Sequence, residues 1–265
     1  MSKPKFTITD LFGNDTKFIS YTLNGKTVIR RSSAPSKERI NTDPAYHKVK
    51  MNNQEFAAAT ALSKAIRNQN LKTVFQTFKD TYMAGRLTGV CRKIIQQGSG
   101  ELGKREACIA TNGSILEQFP LNKQRPLGYT VKVAYQLQTT PNRDTITMST
   151  SIAKANLTGQ PKTATHVQLT LALATVSKHK FNTKTKNYQP EHPSQNALGV
   201  YIQSQPIAIS NTPIPVNLET SVPFNEPLAN TTAVVVALGI SFSSLENNTM
   251  YELKSANAMN IIKIL

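Results

Sequence analysis

The hydrophobic residues of this 265-residue chain change their spacing part-way along it, and this change constrains the fold more than any other feature. Between residues 51 and 97, apolar residues recur every three or four positions, which is typical of amphipathic helices. From residue 128 onward they alternate with polar residues or form short runs between turns rich in proline and asparagine, which is typical of strands. We therefore predict an α+β, mainly β protein.

Strand-like segments fill the last half of the chain. Their number and the turns between them favour a β-sandwich or jelly-roll-like domain of about eight strands. Pro206, Pro213, Pro215 and Pro223 suit edge strands or connections, because proline cannot donate a backbone hydrogen bond. The predicted strands are 129–136, 144–151, 166–176, 198–209, 216–222, 232–242, 251–254 and 261–265.

The first 50 residues predict a β-hairpin followed by a basic arm. Asn24-Gly25 lies between two alternating segments, 18–23 and 28–31, and a shorter alternating segment occupies 6–9. Asn-Gly at such a place is a strong hairpin signal, because both turn residues need a positive φ. Farther along, Pro35 and Pro44 restrict the residues before them to extended conformations. We therefore predict that residues 32–50 form an ordered, extended arm rather than a helix.

Two apolar stripes predict helices between residues 51 and 127. Basic residues occupy the positions between the apolar ones, so each helix should have a packing face and a basic face. Gly85 and Gly89 are expected to break or bend the second helical stretch. The stripes are Phe56, Ala59, Leu62 or Ser63, and Ile66, then Leu71, Val74, Phe75, Phe78 and Tyr82. The chain thus divides into 1–50, 51–127 and 128–265, and the sequence leaves open whether the helices form their own domain or cover one sheet.

Positive charge is concentrated in the first half of the chain. Residues 1–127 carry a net charge of +12, whereas residues 128–265 carry +4. So local an imbalance predicts a polyanionic partner such as nucleic acid, or an acidic protein surface. Tyr21 and Tyr46 are available for stacking, although no established nucleic-acid-binding motif is present. The candidate nucleic-acid or assembly contacts are Lys26, Arg30, Arg31, Lys37, Arg39, Lys48, Lys50, Lys64, Arg67, Arg92, Lys104 and Arg105.

No pattern in the sequence predicts catalysis, a metal or a cofactor. Residues 98–104 satisfy the dinucleotide fingerprint and the start of a phosphate-binding loop, but a helix rather than a strand precedes them. Arg105 also stands where a phosphate-binding loop has serine or threonine, so we interpret the segment as a helix stop followed by a turn. The histidines are scattered, and Cys91 and Cys108 form no Cys-x-x-Cys pair. We predict a non-enzyme with reduced cysteines, a single disulfide being the alternative.

Several blocks of the sequence are similar to a family of proteins from bacteria of the Bacteroidota phylum. The most specific is PSKERINTDPA at residues 35–45, followed by NNQEF at 52–56, GKR at 103–105, ATH at 164–166 and the strand at 260–265. The chain departs from the family at 32–33, where members have glycines, and at 50–51, where they have Arg-Glu. The resemblance implies a bacterial setting, an N-terminal hairpin, helices and a C-terminal β-sandwich. The family carries no assigned activity, so the resemblance implies no function.

Two hypotheses for the function follow from the sequence. The first is a non-enzymatic structural protein that self-assembles as a homo-oligomer into a lattice, tube or capsid-like coat, its arm adding to a neighbour's sheet. The alternative is a protein that grips nucleic-acid phosphates through the basic arm and helices. With no signal peptide and no apolar segment long enough to span a bilayer, we expect it in the cytoplasm, free or in a particle or filament. Deleting residues 1–50 is expected to leave a folded, monomeric sandwich.

Overall fold

A computed structural model describes residues 18–23, 25–31, 35–224 and 226–265, and the statements below concern these residues. They form two compact units, Met1–Lys50 and Met51–Leu265. In the first unit, β1 and β2 form an antiparallel hairpin in which Leu23 is opposite Lys26. The intervening turn therefore has two residues, and Gly25 has a φ of +77°. This confirms the hairpin predicted from Asn24-Gly25, whereas the strand predicted at 6–9 lies outside the described residues.

The segment after the hairpin is helical, so the prediction of an extended arm was wrong. The Ser36 side chain accepts a hydrogen bond from the N–H of Arg39, 3.1 Å away, and caps the first helix. Asp43 then accepts from the N–H of Ala45, and Pro44 is the first residue of a 3₁₀ turn. Both helical segments begin next to a proline, where proline is tolerated, and neither is interrupted by one. The elements of this region are β1 (Phe18–Leu23), β2 (Lys26–Arg31), α1 (Lys37–Thr42), the turn Pro44–Tyr46 and α2 (His47–Ile66).

The second unit contains a large sheet and a small sheet. The two longest strands, β5 and β11, pair antiparallel at the centre of the large sheet. On the outer side of β11 lie β12 and β13, and on the outer side of β5 lie β8 and β9. The small sheet has the order β10-β4-β3, and β6 and β7 form a separate hairpin. The strands are β3 (Tyr135–Thr139), β4 (Thr145–Ile152), β5 (His166–Ser177), β6 (His179–Asn182), β7 (Asn187–Pro190), β8 (Gly199–Gln203), β9 (Ile207–Ala208), β10 (Ile214–Ser221), β11 (Thr232–Glu246), β12 (Thr249–Glu252) and β13 (Ala258–Ile264).

Both faces of the large sheet are covered. Leu171 and Leu173 of β5 belong to a core shared with Met148 of the small sheet, so the two sheets form a sandwich. The alternate residues, Ala172 and Ala174, belong to a second core shared with the helices. Successive side chains of a strand point to opposite faces, so these small residues face the helical layer. The helices of this unit are the continuation of α2, α3 (Lys72–Gln76), α4 (Met83–Gln96), α5 (Ile109–Asn112) and α6 (Leu127–Thr130).

The helices therefore cover one sheet, which answers the question that the sequence left open. Segments 51–127 and 128–265, which differ in charge, contribute to one compact unit. The α+β, mainly β class is confirmed. Among the described residues after 134 there are eleven strands rather than the predicted eight. The prediction was wrong at the start of segment 129–136, because residues Leu127–Thr130 form α6.

Two further expectations about the helices differ from the structure: no break occurs at Gly85 or Gly89, and two residues of the predicted buried stripes are exposed. Helix α4 continues through Gly85 and Gly89, where an added Cβ would meet no heavy atom within 4 Å. Glycine lowers helix stability by about 1 kcal/mol relative to alanine, which is too little to end a helix that packs on a core. Phe56 and Tyr82, predicted on the buried stripes, are 52% and 62% exposed. No helix among the described residues is long and apolar enough to cross a membrane.

Candidate functional site

The β1–β2 hairpin places two predicted cations beside an aromatic side chain. Lys26 and Arg30 are two positions either side of Val28 on β2, and Tyr21 lies opposite Val28 on β1. Because side chains alternate between the two faces of a strand, all four lie on one face. Tyr21 is 44% exposed, and the neighbouring Leu23 is 45% exposed. The face is therefore both basic and apolar.

The opposite face of the hairpin also carries an exposed apolar residue. Ile29 is 51% exposed and lies opposite Ser20. In the part of the chain that the structure describes, β1 and β2 form a two-stranded sheet. The outer edge of β2 therefore presents backbone groups that another strand can pair with. Arg31 ends β2, and its side chain lies outside the described part.

The basic residues of α1 and the start of α2 are partly occupied within the unit. The guanidinium of Arg39 lies 3.4 Å from the Asp43 carboxylate and 5.4 Å from the centre of the Tyr46 ring. One face of Tyr46 is therefore covered by Arg39. The Lys50 ammonium donates to the carbonyl of Asn41 at 3.4 Å. The remaining two predicted residues, Lys37 and Lys48, are exposed and have no ion-pair partner among the described residues.

Three predicted basic residues belong to the helical layer. Lys64 and Arg67 are one turn apart at the end of α2, and the Nε of Arg67 donates to the Ser63 hydroxyl at 3.4 Å. The charge of Arg67 also acts on Cys91 of α4, although burial dominates and raises the pKa of this thiol to about 12. Arg92 follows Cys91, and its buried Nε has no hydrogen-bond partner within the described ranges. Arg67 therefore lies close to Cys91 of α4.

The glycine-rich segment after α4 closes on a buried carboxylate of the same unit. The side chain of Glu55, on α2, is 1% exposed and accepts a hydrogen bond from the N–H of Gly103 at 2.9 Å. Its other oxygen lies 3.7 Å from the Arg105 guanidinium. Gly103 has a φ of +86°, and an added Cβ would lie 2.9 Å from a side-chain atom of Met51. The segment is thus a turn, as the sequence predicted. The N–H of Gly103, which a phosphate-binding loop would direct at a phosphate, is bonded to the Glu55 carboxylate instead.

A tyrosine from the β6–β7 hairpin holds the same turn from the other side. The hydroxyl of Tyr188 donates to the carbonyls of Gly103 and Arg105, at 3.2 Å and 2.9 Å. Burial and the nearby Glu55 carboxylate raise the pKa of Tyr188 above its usual range, so the hydroxyl stays a donor. Lys104 is paired with Glu101 at 3.4 Å. The structure therefore places Lys104 and Arg105 in ion pairs within the Met51–Leu265 unit.

The sequence analysis missed an exposed apolar surface at the end of the large sheet. Strands β11 and β12 continue past the core and are joined by Asn247 and Asn248, which have φ values of +48° and +61°. Leu245, Met250 and Tyr251 near this turn are 43%, 38% and 52% exposed. The signal in the sequence is Asn-Asn between two alternating segments, which suits a two-residue hairpin turn.

The described residues contain no group of three histidine, cysteine, aspartate or glutamate side chains placed to hold a metal ion. Comparisons with protein-family models, with curated proteins and with solved structures found no match to this chain. The geometry of the exposed surfaces is therefore the basis for a functional proposal.

Proposed function

We propose that this protein is a non-enzymatic structural subunit that assembles with other copies of itself through the β1–β2 hairpin. The observation that carries the proposal is the exposure of apolar side chains on both faces of that hairpin, Tyr21 and Leu23 on one and Ile29 on the other. A two-stranded hairpin is marginally stable by itself in water. Pairing with a further strand would bury these side chains and satisfy the outer edge of β2.

The small sheet offers an edge that suits such pairing. Its outer strands are β3 and β10, and β10 carries Pro215 and Glu219, residue types that discourage edge pairing. Strand β3, Tyr135–Thr139, has the sequence YQLQT, with neither a charge nor a proline. We infer that β3 of one copy is the edge to which β2 of another copy adds. The resulting contact would rest on backbone hydrogen bonds and apolar burial, so it should depend little on salt.

The test is the molar mass of the full chain, measured by light scattering after size exclusion at low and high salt. We expect assemblies larger than one chain at both salt concentrations. Ile29→Asp should shift the mass toward one chain, because a carboxylate would have to be buried in the contact. Thr27→Asp is the matched control: it lies on the same strand and face and adds the same charge without removing an apolar side chain. A wild-type chain that is monomeric at both salts contradicts the proposal.

Nucleic-acid binding is a second candidate, and the shared face of Lys26, Arg30 and Tyr21 favours it. Cations beside an aromatic ring suit a single strand, whose phosphates and bases they can contact together. Each neutralised phosphate contributes about a threefold loss of affinity between about 50 and about 200 mM salt. The double variant Lys26→Gln/Arg30→Gln should therefore bind a labelled oligonucleotide more weakly. Its affinity should also fall less steeply with salt concentration, by the amount expected for about two phosphate contacts. Lys154→Gln/Lys162→Gln is the control for net charge, and equal behaviour of both double variants contradicts this candidate.

A further inference from the structure

A cavity of about 240 Å³ lies between the two sheets of the Met51–Leu265 unit. Its floor is formed by Leu169, Leu238 and Ile262, which come from three strands of the large sheet. Tyr135 and Thr150, directly opposite each other in β3 and β4, form part of the wall. The cavity opens to solvent on one side, and its lining is mostly apolar.

One buried side chain of β13 bonds two residues of the cavity lining, Gln118 and Leu127. The Asn260 amide accepts a hydrogen bond from the N–H of Leu127, at the start of α6, at 3.0 Å. It donates to the carbonyl of Gln118 at 3.3 Å. Gln118 has a φ of +67°, which costs energy for a residue with a side chain, and its N–H is bonded to Ile261 at 2.8 Å. These two lining residues are therefore bonded to the large sheet before any ligand arrives, as in pre-formed binding sites.

Lys132 is the one charged residue of the cavity lining in the part of the chain that the structure describes. The backbone of Lys132 is fixed by two hydrogen bonds with Asn156, at 2.8 Å and 3.0 Å. Its side chain is exposed, and its ammonium has neither an ion-pair nor a hydrogen-bond partner in the ranges that the structure describes. An apolar cavity with one unpaired positive charge at the entrance is complementary to a molecule that has an apolar tail and an anionic head.

We propose that the cavity binds a medium-chain alkyl carboxylate, with the tail on Leu169 and Leu238 and the carboxylate at Lys132. The volume sets the length of the tail. An apolar cavity of about 150 Å³ holds one benzene molecule, so 240 Å³ suits about eight to ten carbon atoms. The cavity wall shares Tyr135 with the β3 edge, but this inference requires only the cavity and Lys132 and not a contact between copies.

The experiment is a calorimetric titration of the full chain with octanoate and, separately, with 1-octanol. Octanoate is expected to bind saturably at one site. Lys132→Gln should weaken octanoate binding about fivefold or more and leave 1-octanol binding unchanged, because only the charge interaction is lost. Lys154→Gln removes the same charge from an exposed lysine that does not line the cavity, and it should bind both compounds like the wild type.

A second variant tests the cavity itself. Gly128 lines the cavity, and an added Cβ there would meet no heavy atom within 4 Å, so Gly128→Phe should introduce a ring that occupies part of the cavity. We expect this variant to lose binding of both compounds. The proposal is overturned if octanoate does not bind saturably, if both lysine variants weaken it equally, or if a folded Gly128→Phe chain still binds it. If Gly128→Phe does not fold, the proposal is tested by Lys132→Gln, which should weaken the binding of octanoate but not of 1-octanol.

Discussion

Asn68 is expected to be one of the most sensitive positions in the chain, because its side chain joins the helical layer to the large sheet. It follows α2 and is 6% exposed. Its amide nitrogen donates to the carbonyls of Ala65, at 3.2 Å, and Leu198, at 3.1 Å. Its amide oxygen accepts from the N–H of Leu71 at 3.2 Å. One side chain thus ends one helix, begins the next helical turn and bonds the residue before β8.

The size of the effect follows from these three bonds. Each hydrogen bond contributes about 1 kcal/mol net, and a buried group left without its partner costs about 1–3 kcal/mol. Asn68→Ala should therefore lower the free energy of unfolding by about 3 kcal/mol, which is roughly 6–12 °C in melting temperature for a unit of this size. Position 199, which packs against Asn68, has no room for a side chain, because a Cβ on Gly199 would lie 2.3 Å from the Asn68 amide oxygen.

The assay is urea denaturation followed by circular dichroism, with Asn70→Ala as the matched control. Asn70 is two residues away and exposed, and it makes one hydrogen bond, to the carbonyl of Gly199 at 3.1 Å. We expect its loss to cost about 1 kcal/mol. If Asn68→Ala and Asn70→Ala destabilise the protein equally, the side chain of Asn68 does not connect the two layers as described.

Three further outcomes are expected. Gly85→Ala and Gly89→Ala should each raise the free energy of unfolding by up to about 1 kcal/mol in urea denaturation, since there is open space for the methyl groups, and a decrease would contradict this. Burial raises the pKa of Cys91 to about 12, so its native thiol should resist a disulfide reagent at about pH 8 and react in urea; fast native labelling would be inconsistent with this environment. Burial lowers the pKa of His179, so as pH falls the imidazole is protonated in the unfolded chain before it is protonated in the folded one. The free energy of unfolding should therefore fall as pH drops from about 7 to about 5. An equally steep fall in His179→Gln would count against this role of His179.

The sequence predicted those features that depend on neighbouring residues. The Asn24-Gly25 hairpin, the helical stripe through Leu62 and Ile66, and the turn after α4 appear in the structure because each needs only local backbone preferences. The α1 helix differs from the prediction because Pro35 and Pro44 stand at the starts of helical segments, where proline is tolerated, and Ser36 and Asp43 cap those segments. The β6–β7 hairpin was missed because its residues are polar and do not alternate in hydropathy.

For the candidate sites, too, the sequence predicted what depends on neighbouring residues and missed what depends on the fold. The sequence identified Lys26 and Arg30 as basic, and their shared face follows from the two-residue period of a strand. That Arg105 is paired within the unit was not visible, because its partner Glu55, which also accepts a hydrogen bond from Gly103, lies 48 residues before that glycine in sequence. The cavity was also not visible, since Gln118, Lys132 and Ile262 come from separate elements.

By itself, then, the sequence determined the secondary-structure class, the hairpin and the concentration of charge, because hydrophobic period, turn residues and composition act over a few positions. Only the tertiary structure decided that the helices cover the large sheet and that Asn68 meets Leu198, 130 residues away. The physical reason is that the alternating leucines and alanines of β5 define two buried faces without specifying their partners. Those partners are selected by how the Met51–Leu265 unit packs, and the cavity is a surface that this packing leaves uncovered.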